Sequence, residues 1–187
     1  MNLTKPFFFR YTLLLFITTI FFFSIDGFTQ EKEIRISPKA IVKQTVGFTD
    51  ITIEYGRPGV KGRTIWGGLV PYNAVWRAGA NEATKITFST DIKINGKSLK
   101  AGSYSFFTIP TKNRWTLIFN KVADQWGAFE YNDAEDALRI EVTPEKKNEC
   151  WQEWLAYTIN KSSDNSATIR LEWEKLKVPF KVEVKTQ

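Results

Sequence analysis

A two-residue apolar period constrains this chain more than any other feature. Ile51, Ile53 and Tyr55 alternate with Thr52 and Glu54, and Leu138, Ile140 and Val142 alternate with Arg139 and Glu141. Ile169, Leu171 and Trp173 alternate with Arg170 and Glu172; Val178, Phe180, Val182 and Val184 alternate with Pro179, Lys181 and Glu183. Successive side chains of a strand point to opposite faces, so this pattern buries one face and wets the other, as antiparallel sheets do. Turn chemistry agrees. Asn95-Gly96 stands between Ile92/Ile94 and Leu99, and the favoured two-residue hairpin turn needs residues that accept positive φ. Ser163-Asp164-Asn165-Ser166 separates two further runs. The reading is all-β, an antiparallel β-sandwich of roughly nine strands. Ile51, Ile53, Ile169, Leu171, Phe180 and Val182 are expected to point between the sheets. Pro179 predicts an edge position for the last strand, and Asp133 to Ala137 is the one helical segment, a single turn.

One stretch breaks this rhythm. Gly56 to Lys85 holds six of the eleven glycines, with Pro58 and Pro71, and shows no sustained alternation. A long segment of this kind inside a compact domain is usually functional. It also gathers Arg57, Lys61, Arg63, Arg77 and Lys85 against Glu82 alone, whereas Lys121 to Asn160 carries nine acidic and four basic residues. Charge segregated in this way predicts a basic face and an acidic face.

Residues 1–27 predict a secretory signal peptide. Lys5 and Arg10 precede an apolar stretch from Tyr11 to Ile25 that is short for a membrane span, and polar Asp26-Gly27 follows. Cleavage is expected near Gly27. The competing reading is an uncleaved N-terminal anchor, which would be the only membrane attachment; both readings place the domain in the periplasm or outside the cell. Residues 28–187 read as one domain, with 24 basic and 19 acidic residues once Lys5, Arg10 and Asp26 are removed. That charge is too weak to imply a nucleic-acid partner.

The chain has no His and one Cys, Cys150. No His-based triad, Cys-His dyad, two-His zinc site or haem proximal ligand can be built from it, nor an internal disulfide. Cys150 sits between Glu149 and Glu153, the reverse of the positive setting a reactive thiol needs. No phosphate-loop spacing or nucleophile elbow occurs, and Asp133–Asp136 lacks the alternation of a calcium loop. No cofactor and no metal is expected.

Two long runs carry a family resemblance: Gln44-Thr-Val-Gly-Phe-Thr-Asp-Ile-Thr-Ile-Glu-Tyr-Gly-Arg-Pro-Gly-Val-Lys-Gly-Arg63, and Trp66-Gly-Gly-Leu-Val-Pro-Tyr-Asn-Ala-Val-Trp-Arg-Ala-Gly-Ala-Asn-Glu-Ala-Thr-Lys-Ile86. Leu99-Lys-Ala-Gly-Ser-Tyr104, Gln125-Trp-Gly-Ala128, Asp164-Asn-Ser-Ala167 and Trp173-Glu-Lys175 extend it. Through these residues the chain resembles the secreted bacterial family called domain of unknown function 2911, over about Ser37 to Val184. The resemblance implies an exported β-rich domain of Gram-negative bacteria. It carries no catalytic residues, because the family has no established activity.

Candidate ligand-binding residues therefore come from residue chemistry. Arg57 and Arg63 flank a Pro-Gly-Val-Lys-Gly run; their planar donor forks suit carboxylate, sulfate or phosphate, or else pair with acids and pin the loop. Trp76, Arg77, Asn81 and Glu82 supply an aromatic face, a donor fork and acceptors, the groups that hold a sugar ring or tie a loop to a sheet. Trp126 is a ligand platform or a plug over one end of the sandwich; Trp115, Trp154 and Trp173 fall within strand patterns and read as core or sheet surface. The favoured function is a non-catalytic binding module for a small polar or anionic ligand or a glycan. Beside it stand a structural or protein-interaction domain of the cell envelope, and a carboxylate hydrolase in which Glu54 or Asp50 faces Glu82.

Overall fold

The computed structural model describes residues 34–146 and 151–185; the expected leader and Cys150 lie outside them. Among the described residues the strands are β1 (Lys39–Val46), β2 (Thr49–Gly56), β3 (Thr84–Phe88), β4 (Ile92–Ile94), β5 (Lys97–Leu99) and β6 (Gly102–Ile109). They continue with β7 (Trp115–Asn120), β8 (Asp136–Val142), β9 (Glu145–Lys146), β10 (Gln152–Ser163), β11 (Ser166–Glu174) and β12 (Leu176–Val184). One sheet runs β1-β2-β3-β6-β7-β8 and the other β10-β11-β12-β4-β5, with β9 added to β12. Every pairing is antiparallel. The fold is an all-β sandwich with more strands than the alternation alone shows. The two residues of β9 are too few to display a period.

The alternating residues build the core. Ile51, Ile53, Ile169, Leu171, Phe180 and Val182 are each 2% exposed or less and belong to one apolar cluster between the sheets. Burial of such side chains is worth about 1.5–3 kcal/mol apiece before the entropy of ordering them is subtracted. Asn95 and Gly96 take φ of 47° and 82°, and the register pairs Ile94 with Lys97 and Ile92 with Leu99.

Pro179 does not mark an edge strand, because β12 lies between β11 and the β4–β5 hairpin. It falls in a local gap instead. β9 covers Leu176 and Lys177, and β4 covers Val182 to Val184. Lys181 exchanges hydrogen bonds with Asn95 on the hairpin side, donating to Asn95 Oδ1 and accepting from its N–H. By strand parity, the nitrogen of Pro179 faces that same side, between β9 and β4, so its missing N–H breaks no ladder bond.

β6 and β7 are buried on both faces. Phe106 and Phe119 enter the main core, while Phe107 and Ile118 form a second cluster with Ala83, covered by Val75, Ile109, Ala128 and Tyr131. Residues from 72–83 and 121–131 are thus laid over the outer face of the first sheet. The single helical turn is 3-10, Asp133–Glu135, with Asn132 capping it through a hydrogen bond from the Ala134 N–H at 3.1 Å. Tyr131 donates to Asp136 at 2.7 Å and Arg139 reaches both, fastening the end of the 121–131 segment to β8.

Candidate functional site

The long connection from β2 to β3 is held along its length by backbone. The Val60 N–H donates to the Glu153 carbonyl at 2.8 Å and the Leu155 N–H to the Pro58 carbonyl at 3.0 Å, so 58–60 lies along β10 like a short extra strand. Arg57 serves the same attachment, its Nε donating to the Leu155 carbonyl at 2.9 Å. Further on, Trp76 and Thr108 exchange both main-chain hydrogen bonds at 2.8 Å. Directly paired residues share a face, and Thr108 is buried. Trp76 therefore turns inward, 9% exposed, stacking on Trp173 at 6.0 Å within a cluster that also holds Trp66 and Trp115.

Residues 77–82 follow in an unusual conformation. Ala78 has φ of +52°, a region costly for a side chain with a Cβ, and it is fully buried. Two hydroxyls fix it: Thr84 Oγ1 donates to its carbonyl at 3.0 Å and Tyr157 Oη at 2.8 Å. Tyr157 is itself set by its N–H, which donates to Tyr55 Oη at 3.2 Å. Gly56 lets the segment approach, since a Cβ there would stand 2.1 Å from the Ala80 carbonyl oxygen. Asn81, at φ of +63°, donates from Nδ2 to the Ser37 carbonyl at 3.2 Å, and Glu82 accepts from Arg35 at 2.8 Å. Both therefore also hold the chain that precedes β1.

Arg63, Trp76, Arg77 and Asn81 line one cleft of about 280 Å³, together with Lys61 and Trp173. Among the described residues, none of those in its wall is acidic. Arg63 is oriented by its own loop, donating from Nη2 to the Gly59 carbonyl at 2.6 Å and from Nε to the Val60 carbonyl at 3.1 Å. Lys61 Nζ lies 5.6 Å from the Trp154 ring centre. Arg77 carries a buried Nε with no acceptor, and burial pushes its guanidinium below the ordinary value. Its Nη1 reaches toward the 121–131 segment, 3.8 Å from where a Cβ on Gly127 would stand. Among the described residues, none of these three cations forms a salt bridge.

Glu82 and Trp126 line a different cleft, of about 310 Å³. Their backbones form a bridge, extended by the Ala83 N–H donating to the Gln125 carbonyl at 2.9 Å. Trp126 is 59% exposed, so it is not a plug buried over one end of the sandwich. Glu54 shares this cleft with Glu82; Asp50 is engaged elsewhere, by Lys43 at 2.9 Å and Thr45 at 2.6 Å. Lys39 holds Glu54 below the usual carboxylate range and Arg35 does the same to Glu82. Neither carboxylate is raised in the way that marks the general acid of a glycoside hydrolase.

The seven candidate residues thus divide. Four meet in the basic cleft, two in the cleft with Glu54, and Arg57 is a tie between the connection and β10. Lys61, Gln125 and Glu130 also stand in these walls. Lys61 was visible only as one charge of a basic segment, and Glu130 as one of an acidic segment. Residues 37–182 match the family described as Protein of unknown function (DUF2911). No curated protein and no solved structure matches the chain.

Proposed function

The chain belongs to the DUF2911 family, and we propose that it is a non-catalytic binding module, exported to the periplasm or cell exterior, that holds a small anion in the basic cleft. One observation carries the reading: Lys61, Arg63 and Arg77 meet in a wall that has no acidic residue among its described members. Glu153 stands beside this wall, accepting from the Lys61 main-chain N–H at 2.8 Å and the Trp151 indole at 3.1 Å, but it forms no salt bridge with the three cations, whereas Lys39, Lys100 and Arg114 are each ion-paired. A guanidinium whose Nε is buried and bare is stabilised when an oxyanion or carboxylate reaches it, through charge-assisted, bidentate hydrogen bonds. The apolar stretch after Lys5 and Arg10 supports the exported location.

Titration calorimetry with phosphate, sulfate and citrate tests this. Saturable binding of at least one anion is expected, weakened about tenfold in Arg63→Ala, as befits loss of a charge-assisted contact. Trp126→Phe, in the other cleft, is expected to leave that affinity unchanged. No saturable heat with any of the three anions, or equal binding by Arg63→Ala, overturns the reading.

A second reading has its own observation. Val122, Trp126 and Phe129 stand 46%, 59% and 84% exposed on a single segment. Apolar surface grouped in this way is what an envelope protein-interaction domain presents to a partner.

A further inference from the structure

The cleft beside Trp126 has a chemistry opposite to that of the basic cleft. Among the described residues, its wall contains four carboxylates, Glu54, Glu82, Asp124 and Glu130, against the two ammonium groups of Lys39 and Lys85, and Arg35 also pairs with Glu82 at 2.8 Å, which leaves one carboxylate in excess. Both ammonium groups are engaged: Lys39 lies 2.8 Å from Glu54, and Lys85 lies 3.1 Å from Asp124 and 3.6 Å from Glu54. Arg77, the guanidinium nearest Gly127, belongs to the wall of the basic cleft. Glu130 has no ionic partner among the described residues.

Gln125 adds an independent sign. It is 9% exposed and forms part of this wall. Its amide nitrogen is within hydrogen-bond distance of Ser105 Oγ at 3.1 Å, Asn120 Oδ1 at 3.2 Å and the Val122 carbonyl at 2.8 Å, while its carboxamide oxygen accepts nothing. A buried acceptor without a donor is costly and calls for an explanation. The remaining feature is the exposed face of Trp126, whose ring quadrupole attracts cations.

What is uncommitted among the described residues of this cleft is therefore the carboxylate of Glu130, the amide oxygen of Gln125 and the face and N–H of the Trp126 indole. A sugar hydroxyl could use both kinds of group but carries no charge to answer the unpaired carboxylate of Glu130. A primary ammonium is three donors and one positive charge, and it finds all of them met. We propose that this cleft binds a primary ammonium group, with the indole of Trp126 against it and the carboxylates of Glu130 and Glu82 accepting its protons.

The test follows the Trp126 indole N–H in proton–nitrogen spectra, assigned by its disappearance in Trp126→Phe. Butylammonium chloride is titrated at constant ionic strength, with 1-butanol and glucose as uncharged comparisons. Butylammonium is expected to shift the signal saturably, and neither comparison to do so. Glu130→Gln is expected to weaken butylammonium several-fold with its melting temperature unchanged, since that side chain is exposed and unpaired. Arg63→Ala is expected to leave the titration as it is, so failure of the anion reading does not carry over. No saturable shift with butylammonium, an equal shift with butanol, or a larger one with glucose overturns the proposal.

Discussion

Tyr157 donates from its hydroxyl to the carbonyl of Ala78 at 2.8 Å, joining the middle of β10 to a buried alanine held at positive φ. The bond is wholly enclosed, and burial raises the Tyr157 hydroxyl well above its ordinary pKa, so it remains a donor throughout the physiological range. It fixes the backbone from which Arg77 departs. Tyr157→Phe removes this donor but leaves Thr84 on the same carbonyl. A loss of about 1 kcal/mol is expected, read from urea unfolding, together with weaker anion binding at the basic cleft. Unchanged stability and unchanged affinity in Tyr157→Phe would show that Thr84 alone suffices to hold Ala78.

Arg77 presents the reverse case, a side chain whose burial works against stability and which the proposed anion binding would explain. Its half-buried guanidinium lacks both a carboxylate partner and an acceptor for Nε. Arg77→Met keeps most of the packing and removes the bare donor. An increase of about 1 kcal/mol in stability is expected, with loss of anion affinity, measured by thermal melting and calorimetry on the same sample. A variant less stable than the parent would mean that Arg77 supports the fold.

Tyr131 links the 121–131 segment to alkaline stability. Burial, and then the carboxylate of Asp136, push its hydroxyl up from 10 to about 12. A group whose pKa is raised on folding contributes stability that is intact below its unfolded value and is lost as pH rises through the folded one. The window is therefore pH 10 to about 12. Urea midpoints across that window are expected to fall more steeply for the parent than for Tyr131→Phe, the difference between the two curves isolating this group from the lysines that also deprotonate there. Parallel curves would show that Tyr131 does not contribute.

Much of this architecture was legible in the residues themselves. The period of two in Ile51, Ile53 and Tyr55, and again in Ile169, Leu171 and Trp173, assigned a face to each strand, because the pleat alternates side chains whatever the partner strand is. Asn95-Gly96 named its own hairpin, since a turn of that shape needs residues that tolerate positive φ. Tertiary structure alone decided the rest. Trp76 looked like an open aromatic face beside Arg77, but its backbone pairs with Thr108, and that distant partner turns the ring into the core. Arg63 and Asn81 became neighbours in one cleft, while Glu82, next to Asn81 in sequence, was drawn away to Trp126. Periodicity is a property of one strand and survives in any context. The composition of a cleft depends on which distant backbones hydrogen-bond to each other, and no local pattern encodes that choice.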